Sequence, residues 1–367
     1  MASELIAQDR DWSPDWAIHP GDHLEEHLEA REWSQAEFAR ISGLSKKLVS
    51  QIINGKNPVT PETAIKLERV LGMKAYIWAG LQTEWDLHQA RRDPRQLSAE
   101  DRAWIKRQPL KELKSCGVID SDSDEFDMLH DLTAFYRIGT PSAYEAKVAS
   151  VPVHHREGKG RGEVIPENVF AWLMMGERQA RSMDLPKYDR NRFIKVVHSI
   201  RELTQEKVSV FAPKMKELSA EAGVALIFEP AFSKTKLFGS ARWVDGLRPV
   251  IQMSLRMKSN DHFWWTFFHE CGHILLHEGR DFADDKGGAE TNDVENEANE
   301  FAEGILVGRE RLAKIIQMAP RSKQQVKLLA NEIGIHPGIL LGMMQHHKVI
   351  DHSYMNALKE KYELRRG

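Results

Sequence analysis

Residues 263–277 read Phe263-Trp264-Trp265-Thr266-Phe267-Phe268-His269-Glu270-Cys271-Gly272-His273-Ile274-Leu275-Leu276-His277. Residues four apart on a helix share a face, so His269 and His273 aim two imidazoles at one spot. Imidazole nitrogens at that separation suit a Zn2+ ion. Glu270 projects beside that spot, where a carboxylate can take a proton from attacking water. The aromatic residues before the motif and Ile274, Leu275 and Leu276 after it make this a buried helix, as a rigid metal site requires. The competing reading is a core helix whose two histidines bond backbone or each other.

A catalytic zinc site takes three protein ligands and leaves one position open. The stretch Thr291-Asn292-Asp293-Val294-Glu295-Asn296-Glu297-Ala298-Asn299-Glu300-Phe301-Ala302 offers the third. Val294, Ala298, Phe301, Ala302 and Ile305 recur at helical spacing and mark a buried stripe. Glu295 and Asn299 border it, four residues apart. Glu295 is a candidate ligand, and Asn299 a candidate to hold the ring N–H of a ligand histidine. Ala298 is small enough for two helices to approach closely. Two alternatives stand beside this. Glu295 could close a capping box on Asn292, and Glu297 is a competing ligand on another face.

The string His-Glu-x-Gly-His-x-x-x-His followed by Glu-x-x-Ala-Asn-x-Phe-Ala resembles the ImmA/IrrE family of metallopeptidases, zincins whose third ligand is a glutamate. The resemblance spans roughly residues 211–345. It implies His269, His273 and Glu295 as zinc ligands and Glu270 as the base. Cys271 departs from the aliphatic residue expected at its position, but it lies away from the histidine face. His277 continues that face by a turn, as a residue behind the ligands or a helix-end histidine.

The chain has 367 residues, enough for two or three cores. A hydrophobic content of 41%, a charged content of 29% and a net charge of −3 read as globular. No global charge excess points to nucleic acid or membrane, so any basic surface is local. Two cysteines, Cys116 and Cys271, argue for a reducing interior rather than a disulfide framework. No apolar stretch is long enough to span a bilayer, and no apolar signal core opens the chain. The expected location is cytoplasmic. The residues before Ile18 read as an extended arm.

A second motif lies near the N-terminus. Ser34 with Glu37 makes a capping box, Phe38, Ala39 and Ile41 are the buried side of a helix, and Gly43 sits at a tight turn. Ser45 caps the next helix, with Leu48, Val49 and Ile52 inward. Two short capped helices across such a turn make a helix-turn-helix, the alternative being a plain helical hairpin. Lys46, Lys47, Ser50, Gln51 and Asn54 face outward on the second helix, kinds of residue that reach bases and phosphates in a major groove. Gln35 is placed for a phosphate, and Ser45 and Lys56 flank the same surface. Residues 19–91 resemble the HigA-type antitoxin branch of Xre/Cro-like DNA-binding domains. The resemblance rests on His19-Pro20-Gly21, Ser34-Gln35, Ile53-Asn54-Gly55-Lys56 and the Trp78…Leu81-Gln82…Trp85-Asp86-Leu87 tail. It implies an operator-binding homodimer and, among partners, a cognate toxin.

Arg91-Arg92-Asp93-Pro94-Arg95 reads as a boundary. The helical patterns from Ser98 to Leu203 follow, with Trp172, Leu173, Phe193, Val196, Val197 and Ile200 inward. Residues 154–162 read as a basic loop or solvated linker. Three strands are expected at residues 224–228, 239–244 and 249–255, with one face buried. Asp261 is expected to cap the helix of residues 263–277 and Gly279 to end it, before a polar loop over residues 281–293. His336, His346 and His347 are structural candidates, and none is assigned an oxyanion role.

The expected architecture is mostly α with a small β-sheet. It comprises a five-helix DNA-binding domain at 18–91, a helical coupling region at 92–210, and a zincin-like α+β domain at 211–367. The expected function is a transcriptional regulator, antitoxin-like, whose zinc-dependent endopeptidase cleaves a specific protein, a repressor or antitoxin being the candidate. The alternative is a non-catalytic repressor or antitoxin whose zincin-like domain binds a partner or senses a signal.

Overall fold

The computed structural model describes residues 17–91, 97–150, 154–157, 163–254, 256, 258–277 and 289–362. The expectations for the N-terminal arm, the boundary at 92–95, Gly279 and the loop 281–288 fall outside them. Contacts divide the chain into two units, Met1–Ser98 and Ala99–Gly367.

The first unit contains α1 (Pro20–Glu29), α2 (Gln35–Ser42), α3 (Lys46–Ile53), α4 (Pro61–Leu71) and α5 (Ala75–Arg91). Its helix starts follow from local chemistry. The His19 ring accepts from Gly21 N, Ser34 Oγ from Glu37 N, Ser45 Oγ from Leu48 N and Thr60 Oγ1 from Thr63 N, each satisfying an otherwise orphan N–H. Gly43 adopts φ +66 at the turn between α2 and α3, which a Cβ would strain. Leu24, Leu28, Phe38, Val49, Ile52, Leu67 and Trp78 form the core. Ile41, expected inside, is 42% exposed. Ser42 takes the inward position instead, donating to Ala39 O and accepting from Leu44 N at the turn.

The second unit begins with α6 (Ala99–Arg107), α7 (Leu110–Ser115), α8 (Glu125–Tyr136) and α9 (Tyr144–Ala149). It continues through β1 (His154–Glu157), α10 (Pro166–Ser182), α11 (Arg190–Glu202) and α12 (Val208–Glu221). Then come β2 (Ala225–Phe228), β3 (Leu237–Val244), β4 (Arg248–Met253), α13 (Asn260–Leu276), α14 (Ala289–Leu306), α15 (Arg309–Met318), α16 (Lys323–Ile333) and α17 (Pro337–His346). The sheet order is β1-β3-β4-β2, with β3 antiparallel to β1 and β4, and β2 parallel to β4. The strand β1 corrects the reading of residues 154–157 as linker. Strand pairing uses backbone groups, so a wholly polar segment can join an edge.

Both sheet faces are buried, not one. Leu226, Ala241, Ile251 and Met253 join the main core with α13. Ala225, Ile227, Val244 and Val250 pack with Ala180 of α10. Polar strand residues on that second face are buried and hydrogen-bonded to α10 and to each other. Gln252 donates to Trp172 O, and Arg242 donates to Gln252 Oε1 and Leu173 O. Burial pushes the Arg242 guanidinium down to about 10, with Glu177 opposing, so it stays cationic at neutral pH. Gly176 permits this approach, because a Cβ there would meet Gln252 Oε1 at 2.0 Å.

A candidate metal centre and an exposed helix of the first unit

Helix α13 is buried along almost its whole length, His262 and Leu276 excepted. Its N-cap is Ser259 and not the expected Asp261. The helix starts at Asn260, two residues earlier than that role requires. Asn260 Oδ1 accepts from the backbone N–H groups of Asp261 and Glu360, and the Asp261 carboxylate instead pairs with Lys359 Nζ at 2.6 Å. Helix α14 lies close across α13. A Cβ on Gly272 would stand 3.1 Å from Ala298 Cα and 3.3 Å from Phe301 Cβ. The glycine of the motif and the small Ala298 thus set the interhelical distance.

That distance brings Glu295 to the histidine pair. His269 Nε2 and His273 Nε2 are 3.0 Å apart. Glu295 Oε2 is 3.4 Å from the first and Glu295 Oε1 3.3 Å from the second. Zinc bonds of about 2.0–2.1 Å in a tetrahedral array place ligand atoms roughly 3.3 Å apart, so the spacing fits an ion at the common centre. The three residues offer ligand atoms within 4.8 Å of one another. The capping-box alternative for Glu295 fails, since α14 begins at Ala289 and Asn292 lies inside it. Glu297 does not compete for the ion's place, because its Oε2 bonds His277 Nε2 at 3.0 Å.

The contacts behind the two histidines fix their tautomers. His269 Nδ1 faces Asn299 Oδ1 at 3.0 Å, and that acceptor requires the proton on Nδ1. His273 Nδ1 faces His277 Nδ1 at 3.1 Å. With His277 Nε2 donating to the Glu297 carboxylate, His277 Nδ1 is an acceptor and His273 Nδ1 carries the proton. Both Nε2 atoms then present lone pairs, 3.0 Å apart and beside a carboxylate. Burial pushes His273 down to about 4, against the raising effect of Glu295. For Glu295 burial acts upward, but where an Nε2 carries a proton in place of an ion, its hydrogen bond to the carboxylate outweighs burial and holds the carboxyl well below its usual range. Two imidazoles presenting Nε2 beside a carboxylate are a donor set that suits Zn2+.

Glu270, fully buried, follows His269 and lies against β3. Gly239 makes room for it, since a Cβ there would stand 2.7 Å from Glu270 Oε1 and 2.7 Å from Thr266 Cγ2. The sequence reading missed Gly239. An isolated glycine inside a strand, which often marks close approach, was the available signal. Cys271 lies in the main core, where burial and then the Glu270 charge push its thiol well up. His336 caps α17, His347 bonds Glu303 Oε1 at 2.7 Å, and His346 packs on Trp265. None of these three is in the cluster of ligand atoms.

In the first unit, Ser45, Lys46, Lys47, Asn54 and Lys56 are exposed, and Gln35, Ser50 and Gln51 half-buried. Gln51 Oε1 accepts from Asn57 Nδ2, and Asn54 Nδ2 donates to Ser50 O. These side chains therefore hold the end of α3 as well as lining its outer face. The two lysines stand in the first turn of α3.

Comparisons with known proteins give two family matches, one within each unit. The helix-turn-helix family (HTH_3) matches residues 24–78, and the IrrE N-terminal-like domain (Peptidase_M78) matches residues 220–341. An uncharacterised HTH-type transcriptional regulator of Escherichia coli K12, YddM, is 39% identical over 71 residues, 19% of this chain and 76% of that protein. Virulence-associated protein I of Dichelobacter nodosus is 32% identical over 83 residues, 22% of this chain and 77% of that protein. Among solved structures, the Pseudomonas aeruginosa antitoxin HigA with the higBA promoter is 33% identical. It covers 20% of this chain and 83% of its own, with a TM-score of 0.20. The chain belongs through its first unit to the Xre-like helix-turn-helix family and carries an ImmA/IrrE-like peptidase M78 domain in its second.

Proposed function

We propose that this protein is an operator-binding transcriptional regulator whose second unit hydrolyses a peptide bond in a specific protein at a zinc ion held by His269, His273 and Glu295. The observation that carries the reading is the convergence of those three ligand atoms beside the buried carboxylate of Glu270. When bound, Zn2+ supplies Lewis acidity toward a peptide carbonyl and toward water. Glu270 takes the proton of the attacking water and passes it to the departing amine. Asn299 and the His277–Glu297 pair hold the two imidazoles in the lone-pair-forward tautomer. In the first unit, Lys46 and Lys47 meet phosphates, and Ser50, Gln51 and Asn54 lie along the face that enters a major groove, in a homodimer on a two-fold site.

The test is metal analysis joined to a proteomic comparison of cells carrying wild type or Glu270→Gln. About one Zn2+ per chain is expected in both, with a substrate that accumulates intact only in the variant. Cleavage surviving in Glu270→Gln would remove the mechanism. In a gel shift, Lys46→Ala/Lys47→Ala should weaken operator binding at least tenfold while leaving zinc content unchanged.

A further inference from the structure

We propose that residues 154–157 of this chain sit at rest on the outer edge of β3, where an extended polypeptide substrate would be added, and so compete with that substrate. The inference rests on the peptidase reading and adds an internal competitor for its site. In the sheet order, β3 would be the edge strand if β1 were not added to it. It is also the strand that touches the chemistry, since Gly239 packs directly against Glu270.

The pairing of β1 is weakest at that point. His154 pairs with Ala241 and His155 with Ser240, but Glu157 pairs with Leu237. Phe238 and Gly239 therefore oppose the single residue Arg156, a bulge on β3 beside Glu270. A bulge interrupts the ladder and leaves a residue unpaired. Neighbouring strands lie about 4.8 Å apart, so the backbone at residue 156 runs one strand spacing from Gly239. A substrate on the same track would pass the same distance away. Strand addition is held by main-chain hydrogen bonds that any extended peptide can make. A four-residue strand with an interrupted register is an occupant that a longer peptide can displace.

The experiment uses the full chain carrying Glu270→Gln, so that no probe is consumed. The probe is a fluorescein-labelled synthetic peptide with the sequence of residues 151–162, read by anisotropy. In an antiparallel pair every second residue sends its N–H across, so His154→Pro/His155→Pro removes at least one such bond wherever the ladder falls. This variant should bind the peptide at least tenfold more tightly than its parent. Equal binding by both, or binding by neither, overturns the proposal. Hydrogen exchange on the unaltered chain does not depend on how the variant folds. Of the β3 amides, those directed at β1 should exchange at least tenfold faster than those directed at β4. Equally slow exchange would mark β1 as a fixed fourth strand and overturn the proposal. Neither measurement needs zinc or turnover, so failure of the peptidase reading shows separately, in metal content and in the proteomic comparison.

Discussion

Glu270 and Cys271 are neighbours on one helix turn with opposite fates. The carboxylate lies against β3, next in sequence to the candidate ligand His269, while the thiol is sealed in the core. Helical geometry alone separates them, because successive residues are about 100° apart. The same economy appears at His19, whose ring accepts from Gly21 N at 2.9 Å and packs edge-on to Trp85. That hydrogen bond needs a lone pair on Nδ1, so the folded form requires a neutral ring. Burial lowers the pKa of His19 below its ordinary 6.5, against the raising effects of Asp22 and Asp86. In acid the unfolded chain therefore takes up the proton first. Stability is present in full above pH 6.5 and is lost as pH falls through the depressed folded value. A cap is worth about 1 kcal/mol, which for a unit of this size corresponds to about 4–8 °C. The melting temperature of the first unit should fall by that order between pH 7 and pH 5. His19→Asn keeps an acceptor at the cap and should flatten the dependence. An unchanged slope in that variant would assign the pH effect elsewhere.

At the scale of elements, the α13–α14 pair is what turns a motif into a site. Gly272 sits 3.1 Å, measured from an ideal Cβ, from Ala298 Cα, and backbone cannot give way as a side-chain tip can. Gly272→Val should cost about 1–3 kcal/mol through overpacking. It should also push α14 outward, carrying Glu295 and Asn299 away from the histidines. The expected result is a folded protein with much reduced zinc content, read by metal analysis after gel filtration. Full zinc content would show that another residue supplies the third donor. The histidine spacing and Ala298 were legible in the sequence because each follows from helical geometry, whereas Glu295 stood beside a capping box and Glu297 until the family resemblance singled it out. The strand β1 was not, since His154-His155-Arg156-Glu157 shows no alternation and joins the sheet by backbone alone. Nor was the second buried sheet face. Arg242 and Gln252 read as solvent-facing positions, and only the carbonyls of Leu173 and Trp172 on α10 make their burial tolerable.

At the scale of the whole molecule, each unit has a core made from its own residues. Leu24 through Trp78 supply one, and Phe193 through Tyr362 the other. Two cores of such different size need not melt together, and ligands that bind one fold stabilise that fold by mass action. Calorimetry should resolve two transitions. Operator duplex at about 100 times its Kd adds roughly 2.7 kcal/mol to the unit that binds it, a rise of about 10–20 °C for a domain near 100 residues. That rise belongs to the smaller transition alone. Chelation of zinc should lower the larger one and leave the smaller in place. If operator shifted both transitions, or chelation lowered both, the two units would be energetically coupled. Occupancy of one site would then regulate the other by the same factor in each direction.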